Sequence, residues 1–429
     1  MKRYLLLFLV VFIVINESVI AQESDEKIGN LINQTDWFAL EKEYPKLKDE
    51  MQYEMLKYLS EAMIGLHFNQ PQNAIHAIDW LLANAQDEIG FENVSNLILV
   101  KSQILGKQGL YAESVDNMSN FLTQISQHID IIDFPNHNQI LAYYEKIRNE
   151  AKPEIIRPNR DVEIPLIIED VTRGQLMYVP VSVKGNKYKF IYDTGAETTF
   201  ISKRLADEIG VRIIDDSVKI QGVIHSSIGK RGIIDRLEIG DIVFRNSIVS
   251  ISLPNEETDT IFKPEAIIGL DFMRLIGETQ IYPEDKKMIF PIEKTELPSY
   301  GRNLMLLNGI SSLLRVHSNE EELLFIFDTG NVKTNLSIAY YEKHKEHLEA
   351  TAIKKIVRRG GIGGISFHEA YQLINLPLSI CNSKFELKNV DVELNEVKSI
   401  GLDGNMGMDF ITSFKKIIIN FDSMFVKVD

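Results

Sequence analysis

Residues 190–202 read Phe-Ile-Tyr-Asp-Thr-Gly-Ala-Glu-Thr-Thr-Phe-Ile-Ser, and residues 325–337 read Phe-Ile-Phe-Asp-Thr-Gly-Asn-Val-Lys-Thr-Asn-Leu-Ser. Aligned without a gap, the two segments share Phe, Ile, Asp, Thr, Gly, Thr and Ser at matching positions. In each segment an apolar strand is followed by an aspartate, Asp193 or Asp328, and a Thr-Gly turn. Two such loops predict a site built from two carboxylates, with both halves of the site in one chain.

A second motif follows each aspartate at nearly the same distance along the chain. Residues 267–273 read Ile-Ile-Gly-Leu-Asp-Phe-Met, and residues 405–411 read Asn-Met-Gly-Met-Asp-Phe-Ile. Chance is a poor explanation for two independent motifs that recur at matched spacing. We therefore predict an internal duplication, with one lobe at residues 165–296 and the second at residues 297–429.

Both lobes have the pattern of short strands broken by turn residues. Residues 178–183 and 188–192 flank Gly185, which predicts a hairpin whose second strand ends at Asp193. Residues 310–316 and 323–327 repeat this pattern before the second aspartate. The predicted fold class is therefore multidomain, with two all-β lobes in the C-terminal part.

Helical periodicity dominates the region before the lobes. Apolar residues recur at helical spacing within residues 74–82 and 94–105, and Pro71 is well placed at a helix start. We predict an α-helical domain over residues 22–151. Residues 152–164 contain two prolines and are predicted to be a linker.

Part of the helical region resembles a tetratricopeptide repeat (TPR). Leu105-Gly106, followed by residues 109–114, has the pattern of that helix-turn-helix unit, and residues 51–83 are a weaker match. The resemblance implies TPR-like helical hairpins. Either a simple helical-hairpin domain or a peptide-binding repeat groove fits the pattern, and the groove implies a protein partner for this domain.

The N-terminus is typical of a secretory signal peptide. Lys2-Arg3 precede an apolar run at residues 4–15, and Val19 and Ala21 are small enough for a cleavage site. The run is shorter than the roughly 20 residues that a membrane-spanning helix needs. We predict a signal peptide over residues 1–21, no stable membrane anchor, and export to the periplasm or the medium.

Bulk composition excludes several classes of partner and chemistry. The formal net charge of −15 argues against nucleic acid, because phosphate binding requires a basic surface. The single cysteine, Cys381, rules out an intramolecular disulfide, and it follows a strand pattern that favours a packing role. The nine histidines show no metal-ligand spacing, so we expect neither a metal nor a cofactor.

Two carboxylates held close together are able to hydrolyse a peptide bond without a metal. Like charges at that distance share one proton, so one carboxylate activates water and the other protonates the substrate carbonyl. We assign Asp193 and Asp328 to these roles, and the sequence leaves open which is acid and which is base. Support for the pair is expected from the turn residues of both loops, namely Thr194, Gly195, Thr329 and Gly330.

These motifs resemble those of retropepsin-like and pepsin-like aspartic proteases, whose Asp-Thr-Gly loops pair across a two-fold or pseudo-two-fold axis. The resemblance covers about residues 165–429. Ile268-Gly269 and Met406-Gly407 are similar to the hydrophobic-Gly element that lies beneath the catalytic loop in that family. The resemblance implies an aspartic endopeptidase that binds an extended peptide or protein substrate between two lobes.

The same resemblance implies a hairpin flap over the substrate in each lobe. The first candidate, residues 220–233, contains Gly222 and Gly229, and the second, residues 358–366, contains Gly360 and Gly363. Glycines at a mobile hairpin tip suit a lid. Ordinary surface turns are the alternative interpretation of both segments.

The second copy departs from the family pattern, which leaves other functions open. Asn331 stands where Ala, Ser or Thr is usual, and Asn405-Met406 is less apolar than its counterpart. A catalytically weak peptide-binding module of protease fold, acting with the helical domain as a scaffold, is the alternative to an enzyme. Intact aspartates in both copies favour the enzyme.

Overall fold

The computed structural model describes residues 19–129, 131–172, 174–221, 226–253, 265–361, 364–394 and 401–429. The chain divides into two compact units, Met1–Lys152 and Pro153–Asp429. Most of the predicted signal peptide, Gly222 and Gly363 lie outside the described residues.

The first unit is helical over its described residues, as the sequence predicts. Its helices are α1 (Val19–Asn33), α2 (Trp37–Leu47), α3 (Glu54–His67), α4 (Pro71–Asn84), α5 (Gln86–Lys107), α6 (Tyr111–Ile125) and α7 (Pro135–Lys146). Pro71 and Pro135 begin α4 and α7, where a missing N–H costs no hydrogen bond. None of the helices in the described part of the chain is long and apolar enough to cross a membrane.

Close helix packing in this unit depends on glycines. A Cβ on Gly65 of α3 would lie 2.6 Å from the backbone nitrogen of Ala74 in α4, so the two helices approach each other closely at that point. A Cβ on Gly106 of α5 would overlap the ring of Tyr144 in α7. Buried aliphatic and aromatic side chains fill the remaining space. Consecutive helices therefore pack as neighbours.

The second unit is β-rich. Its strands in chain order are β1 (Glu154–Ile156), β2 (Val162–Pro165), β3 (Ile167–Val171), β4 (Gly174–Val183), β5 (Asn186–Tyr192), β6 (Phe200–Ser202), β7 (Arg212–Gln221), β8 (Ser226–Ile239), β9 (Ile242–Ser252), β10 (Ala266–Ile268), β11 (Glu278–Tyr282), β12 (Lys287–Phe290), β13 (Leu304–Leu307), β14 (Ser311–Ser318), β15 (Glu321–Phe327), β16 (Asn335–Leu336), β17 (Ile353–Gly361), β18 (Gly364–Ile380), β19 (Ser383–Glu393), β20 (Gly404–Met406), β21 (Ile417–Asn420) and β22 (Phe425–Val428). Short helices interrupt them at α8 (Lys203–Ile209), α9 (Leu270–Ile276), α10 (Ile338–Thr351) and α11 (Met408–Ile411).

Two large sheets carry the two Asp-Thr-Gly loops. The first has the order β1-β9-β6-β10-β5-β4-β8-β7, with β3 paired to β4. The second has the order β13-β14-β15-β20-β16-β19-β18-β17. In both sheets the strand that ends at the aspartate lies parallel to the short strand of the hydrophobic-Gly element, β5 to β10 and β15 to β20.

A third sheet joins the two lobes and was not predicted from the sequence. Its order is β2-β12-β11-β21-β22, so strands that follow the first catalytic loop pair with the C-terminal strands. Residues assigned to the linker contribute β1 and β2. The prolines of that segment flank β1, and buried Val162 and Ile164 alternate with exposed residues along β2. The segment is therefore structured.

Candidate active site

The structure positions the two aspartates by the same backbone contact. Asp193 N donates to Ile268 O at 3.0 Å, and Asp328 N donates to Met406 O at 3.0 Å. Each bond continues the parallel ladder by one residue beyond the strand end. The last residue of the short parallel strand therefore fixes where each aspartate leaves its sheet.

The glycine of each hydrophobic-Gly element binds the far side of its own loop. Gly269 N donates to Thr199 Oγ1 at 3.1 Å, and Gly407 N donates to Thr334 Oγ1 at 3.0 Å. A Cβ on Gly269 would lie 2.7 Å from the carbonyl carbon of Thr198. The loop and the element are therefore in direct backbone contact, which only glycine permits.

Two half-buried carboxylates hold these threonines, and sequence reasoning gave them no role. Asp271 accepts from Thr199 N at 2.9 Å and from Thr199 Oγ1 at 2.8 Å. Asp409 accepts from Thr334 N at 2.8 Å and from Thr334 Oγ1 at 2.6 Å. The signal was present, because each copy has a threonine six residues after the aspartate and an aspartate two residues after the glycine.

The environment of these two carboxylates is otherwise unequal. Burial raises the pKa of Asp271 to about 6, although three hydrogen bonds oppose the shift. Burial also raises the pKa of Asp409. Asp409 Oδ2 is buried without a hydrogen-bond partner among the described residues, whereas both oxygens of Asp271 accept hydrogen bonds.

The two loops bind each other through a reciprocal pair of threonines. Thr194 N donates to Thr329 Oγ1 at 3.0 Å, and Thr329 N donates to Thr194 Oγ1 at 3.1 Å. The Thr194 hydroxyl donates to Phe327 O at 2.8 Å, and the Thr329 hydroxyl donates to Tyr192 O at 2.6 Å. Each hydroxyl thus joins two backbone groups of the opposite loop, and both threonines are fully buried.

This arrangement brings the carboxyl groups of Asp193 and Asp328 into hydrogen-bond contact. Gly195 N donates to Asp193 Oδ1 at 2.8 Å, and Asn331 N donates to Asp328 Oδ1 at 3.0 Å. The Gly330 amide also lies within hydrogen-bonding range of both carboxylates. Donors from the two loops therefore surround one carboxyl pair.

The glycine of each loop leaves room for the aspartate of the other. A Cβ on Gly195 would lie 2.5 Å from Asp328 Cγ, and a Cβ on Gly330 would collide with the Asp193 carboxylate. Both glycines are therefore required by the close approach of the two loops.

Burial raises the pKa of both aspartates, and the rise is larger for Asp328. The amides around Asp193, with that of Gly195 first, lower its pKa and partly offset the effect of burial. Burial and then the negative charge of Asp193 raise the pKa of Asp328 well above its ordinary value. Two carboxyl groups this close titrate as a unit and share one proton.

The two predicted flap glycines that the structure describes, Gly229 and Gly360, occupy different positions in their hairpins. The hairpins β7–β8 and β17–β18 are present, but Gly229 lies within β8, paired with Val218 and Ser252, rather than at a tip. A Cβ there would lie 2.5 Å from Ile251 O, so Gly229 serves strand packing. Gly360 pairs with Ile365 near the end of its hairpin and is exposed.

The described part of the chain contains no group of three or more His, Cys, Asp or Glu side chains placed to hold a metal ion. Cys381, the single cysteine, is partly buried, and its thiol lies 3.5 Å from Val426 O. Burial raises the pKa of this thiol, so the thiolate is disfavoured.

Comparison with known proteins agrees with this geometry. Residues 179–275 match the family model described as gag-polyprotein putative aspartyl protease. This part of the chain is aspartic-protease-like. A segment of 130 residues is 30% identical to the Arabidopsis thaliana Protein DNA-DAMAGE INDUCIBLE 1, and it covers 30% of this chain and 30% of that protein.

One solved structure aligns with part of the chain. The aspartic proteinase from Irpex lacteus aligns with 62% of this chain and 96% of its own, at 13% identity and a TM-score of 0.39. A TM-score of that size is too low to establish a shared fold. The family match and the β-rich architecture support a protease function for the second unit.

Proposed function

We propose that the unit Pro153–Asp429 is an aspartic endopeptidase with Asp193 and Asp328 as its catalytic pair. The observation that carries this proposal is the single hydrogen-bonded carboxyl pair at the meeting point of two loops. Two carboxyl groups held this close repel each other when both are ionised, so the pair is costly to maintain. Its retention here, with amide donors on both sides, fits a catalytic role.

We propose starting roles that follow the unequal environments of the two carboxyl groups. Asp193 is ionised and acts as general base, and Asp328 is protonated and acts as general acid. Asp193 takes a proton from a water molecule, whose oxygen bonds to the peptide carbonyl carbon, while Asp328 donates its proton to the carbonyl oxygen. The resulting diol collapses when the C–N bond breaks. Asp193 then gives its proton to the leaving nitrogen, and Asp328 regains the diol proton.

The substrate class follows from the same geometry. An extended peptide or protein chain fits between two β lobes that each contribute one loop. We also propose that the lobes arose by internal duplication, supported by the matched contacts of Asp193 with Ile268 and Asp328 with Met406. Parallel contacts at Gly269 and Gly407 add to this support.

Two further proposals concern the rest of the chain. The helical unit is a TPR-like domain that binds a protein partner, supported by its close-packed neighbouring helices. The chain is exported, supported by the charged and then apolar order of residues 2–15. Fractionation of cells that express the full chain tests export, because a mature N-terminus near Gln22 outside the cytoplasm is the expected result.

The catalytic proposal is tested with the full chain and an unstructured protein substrate across acid to neutral pH. Asp193→Asn and Asp328→Asn are each expected to abolish cleavage, because each removes one half of a shared acid–base pair. Activity is expected to fall as pH rises through the elevated pKa of Asp328, since the acid is then lost. Asp170→Asn, at an exposed position of β3, is a matched control and retains activity. Cleavage by either active-site variant at the wild-type rate refutes the proposal, and absence of cleavage by folded wild type at every pH favours a binding module.

A further inference from the structure

Equivalent positions beside the two aspartates differ in polarity. In the first lobe, Phe200 of β6 pairs with Ile267 of β10, whose other neighbour is Ile191 of β5. In the second lobe, the same register pairs Asn335 of β16 with Asn405 of β20. An apolar cross-strand pair in one lobe is therefore replaced by two carboxamides in the other.

A hydrophobic cluster lies beside Asp193 in the first lobe. Its buried members are Leu176, Ile191, Phe200 and Ile267, with Tyr178, Ala196, Ile220 and Val332 packed against them. Ala196 belongs to the catalytic loop, and Ile220 lies near the end of β7 in the predicted flap hairpin. Apolar surface therefore extends from the catalytic loop to that hairpin.

The equivalent positions beside Asp328 carry three asparagines that are linked by hydrogen bonds. Asn331 Nδ2 donates to Asn335 Oδ1 at 3.2 Å, and Asn405 Nδ2 approaches the same oxygen at 3.4 Å. Asn331 replaces Ala196 in the aligned loops, and its backbone N–H binds Asp328. The cluster therefore adjoins the catalytic pair directly.

The asparagine cluster is internally incomplete. Two amide nitrogens converge on Asn335 Oδ1, so the side-chain oxygens of Asn331 and Asn405 have no hydrogen-bond partner among the described residues. Asn335 itself is only 6% exposed. An apolar ligand group placed here would cover polar atoms without satisfying them, at a cost of about 1–3 kcal/mol for each group. A carboxamide or hydroxyl offers the missing donors.

We propose that the cleft is asymmetric and selects its substrate by two chemistries. The half beside Asp193 takes an apolar side chain. The half beside Asp328 takes an uncharged hydrogen-bonding side chain, that of Asn, Gln, Ser or Thr. The asparagines carry no formal charge, so nothing in the cluster offsets the desolvation of a charged side chain. This inference rests on the proposed function, since it concerns the substrate of the same site.

The test is a cleavage profile of the full chain on a degenerate peptide library, read by mass spectrometry. Wild type is expected to cut between an apolar residue on one side and an amide or hydroxyl residue on the other. Asn405→Ile, which copies Ile267, is expected to raise kcat/KM for peptides that are apolar on both sides by about tenfold or more relative to peptides with the polar residue. The reciprocal Ile267→Asn is expected to shift preference toward polar residues on both sides.

Controls separate this inference from general damage and from failure of the enzyme proposal. Asn375→Ile, at an exposed position of β18, is expected to keep the wild-type profile. If Asn405→Ile does not fold, Asn331→Ala, which restores the residue of the first copy, is expected to weaken the polar preference. If wild type does not cleave, the same library is selected by binding to the immobilised chain. Bound peptides with the mixed chemistry then support the inference while the enzyme proposal fails.

Three results overturn the inference. One is a wild-type profile that prefers apolar residues on both sides of the cleaved bond. Another is an unchanged profile in folded Asn405→Ile and Asn331→Ala. The third is a chain that neither cleaves nor binds any peptide of the library.

Discussion

Replacing Thr329 by valine is expected to destabilise the β-rich unit more than replacing Thr194, although the two residues occupy matching positions in the two Asp-Thr-Gly loops. Valine keeps the shape and removes the hydroxyl. Thr329→Val leaves two buried backbone groups without partners, Thr194 N–H and Tyr192 C=O. Thr194→Val leaves the Thr329 N–H without its acceptor, but Phe327 C=O keeps a share of another donor, because the single Ser312 hydroxyl proton lies between Phe327 O, at 2.8 Å, and Thr194 O, at 2.7 Å.

The missing counterpart of Ser312 is the cause of this difference. In the outer hairpins, Tyr178 lies opposite Ile191 and Leu313 lies opposite Ile326. Met177 therefore occupies the position in the first lobe that Ser312 occupies in the second. Met177 is fully buried and has no hydroxyl to donate. Each buried group left unpaired costs about 1–3 kcal/mol. Thr329→Val is therefore expected to cost about 2–6 kcal/mol, and Thr194→Val less than that, because the shared Ser312 hydroxyl partly satisfies the Phe327 carbonyl.

The assay must report on the β-rich unit by itself. The two tryptophans of the chain, Trp37 and Trp80, both belong to the helical unit, so tryptophan fluorescence follows the wrong part. Hydrogen exchange by mass spectrometry in a urea series resolves peptides of each unit, and the helical peptides serve as an internal control. In a Ser312→Ala background, Thr194→Val should become as costly as Thr329→Val. Equal costs in the wild-type background, or a larger cost for Thr194→Val, refute the reasoning.

Two further predictions follow from the buried groups around the pair. Gly330→Ala is expected to abolish cleavage without unfolding the chain, because the new methyl group would collide with the Asp193 carboxylate. Circular dichroism tests the folding and a cleavage assay tests the activity. Retained activity contradicts this prediction. Asp271 has a folded-state pKa of about 6 against an ordinary 3.8, so its contribution to stability is complete below 3.8 and is lost as pH rises through 6. Relative to Asp271→Asn, the wild type should therefore lose about 3 kcal/mol over that range in urea titrations read by hydrogen exchange, and a pH-independent difference contradicts the assignment.

The sequence was most informative where residue type and backbone geometry are tied together. Asp-Thr-Gly after an apolar strand indicated the hairpins, and the observed β4–β5 and β14–β15 agree closely with the predicted strands. The turn residues Lys184 and Gly185 both have positive φ, as a two-residue hairpin turn requires. These features are local, so a short window of sequence contains the whole cause.

Long-range pairing was beyond the reach of the same reasoning. The sheet that joins β2 and β12 to β21 and β22 depends on which exposed edges meet, and no local pattern records that choice. A proline-containing segment reads as a linker when its partner strand is unknown. The half-buried carboxylates Asp271 and Asp409 were overlooked for a related reason, because an aspartate gives no sign of burial until its donors are known.

The two lobes retain the same backbone contacts while their pocket side chains differ, and the physical cost of change explains why. The hydroxyl of Thr199 or Thr334 accepts a hydrogen bond from a glycine N–H and donates one to an aspartate, so its loss leaves a donor unmet in the protein interior. Phe200 and its counterpart Asn335 make side-chain contacts beside the cleft, where a substrate is able to compensate for a change in polarity. The two loops therefore match in the hydrogen bonds that hold the carboxyl pair, and they differ at positions where, under the proposed function, a bound peptide supplies the complementary chemistry.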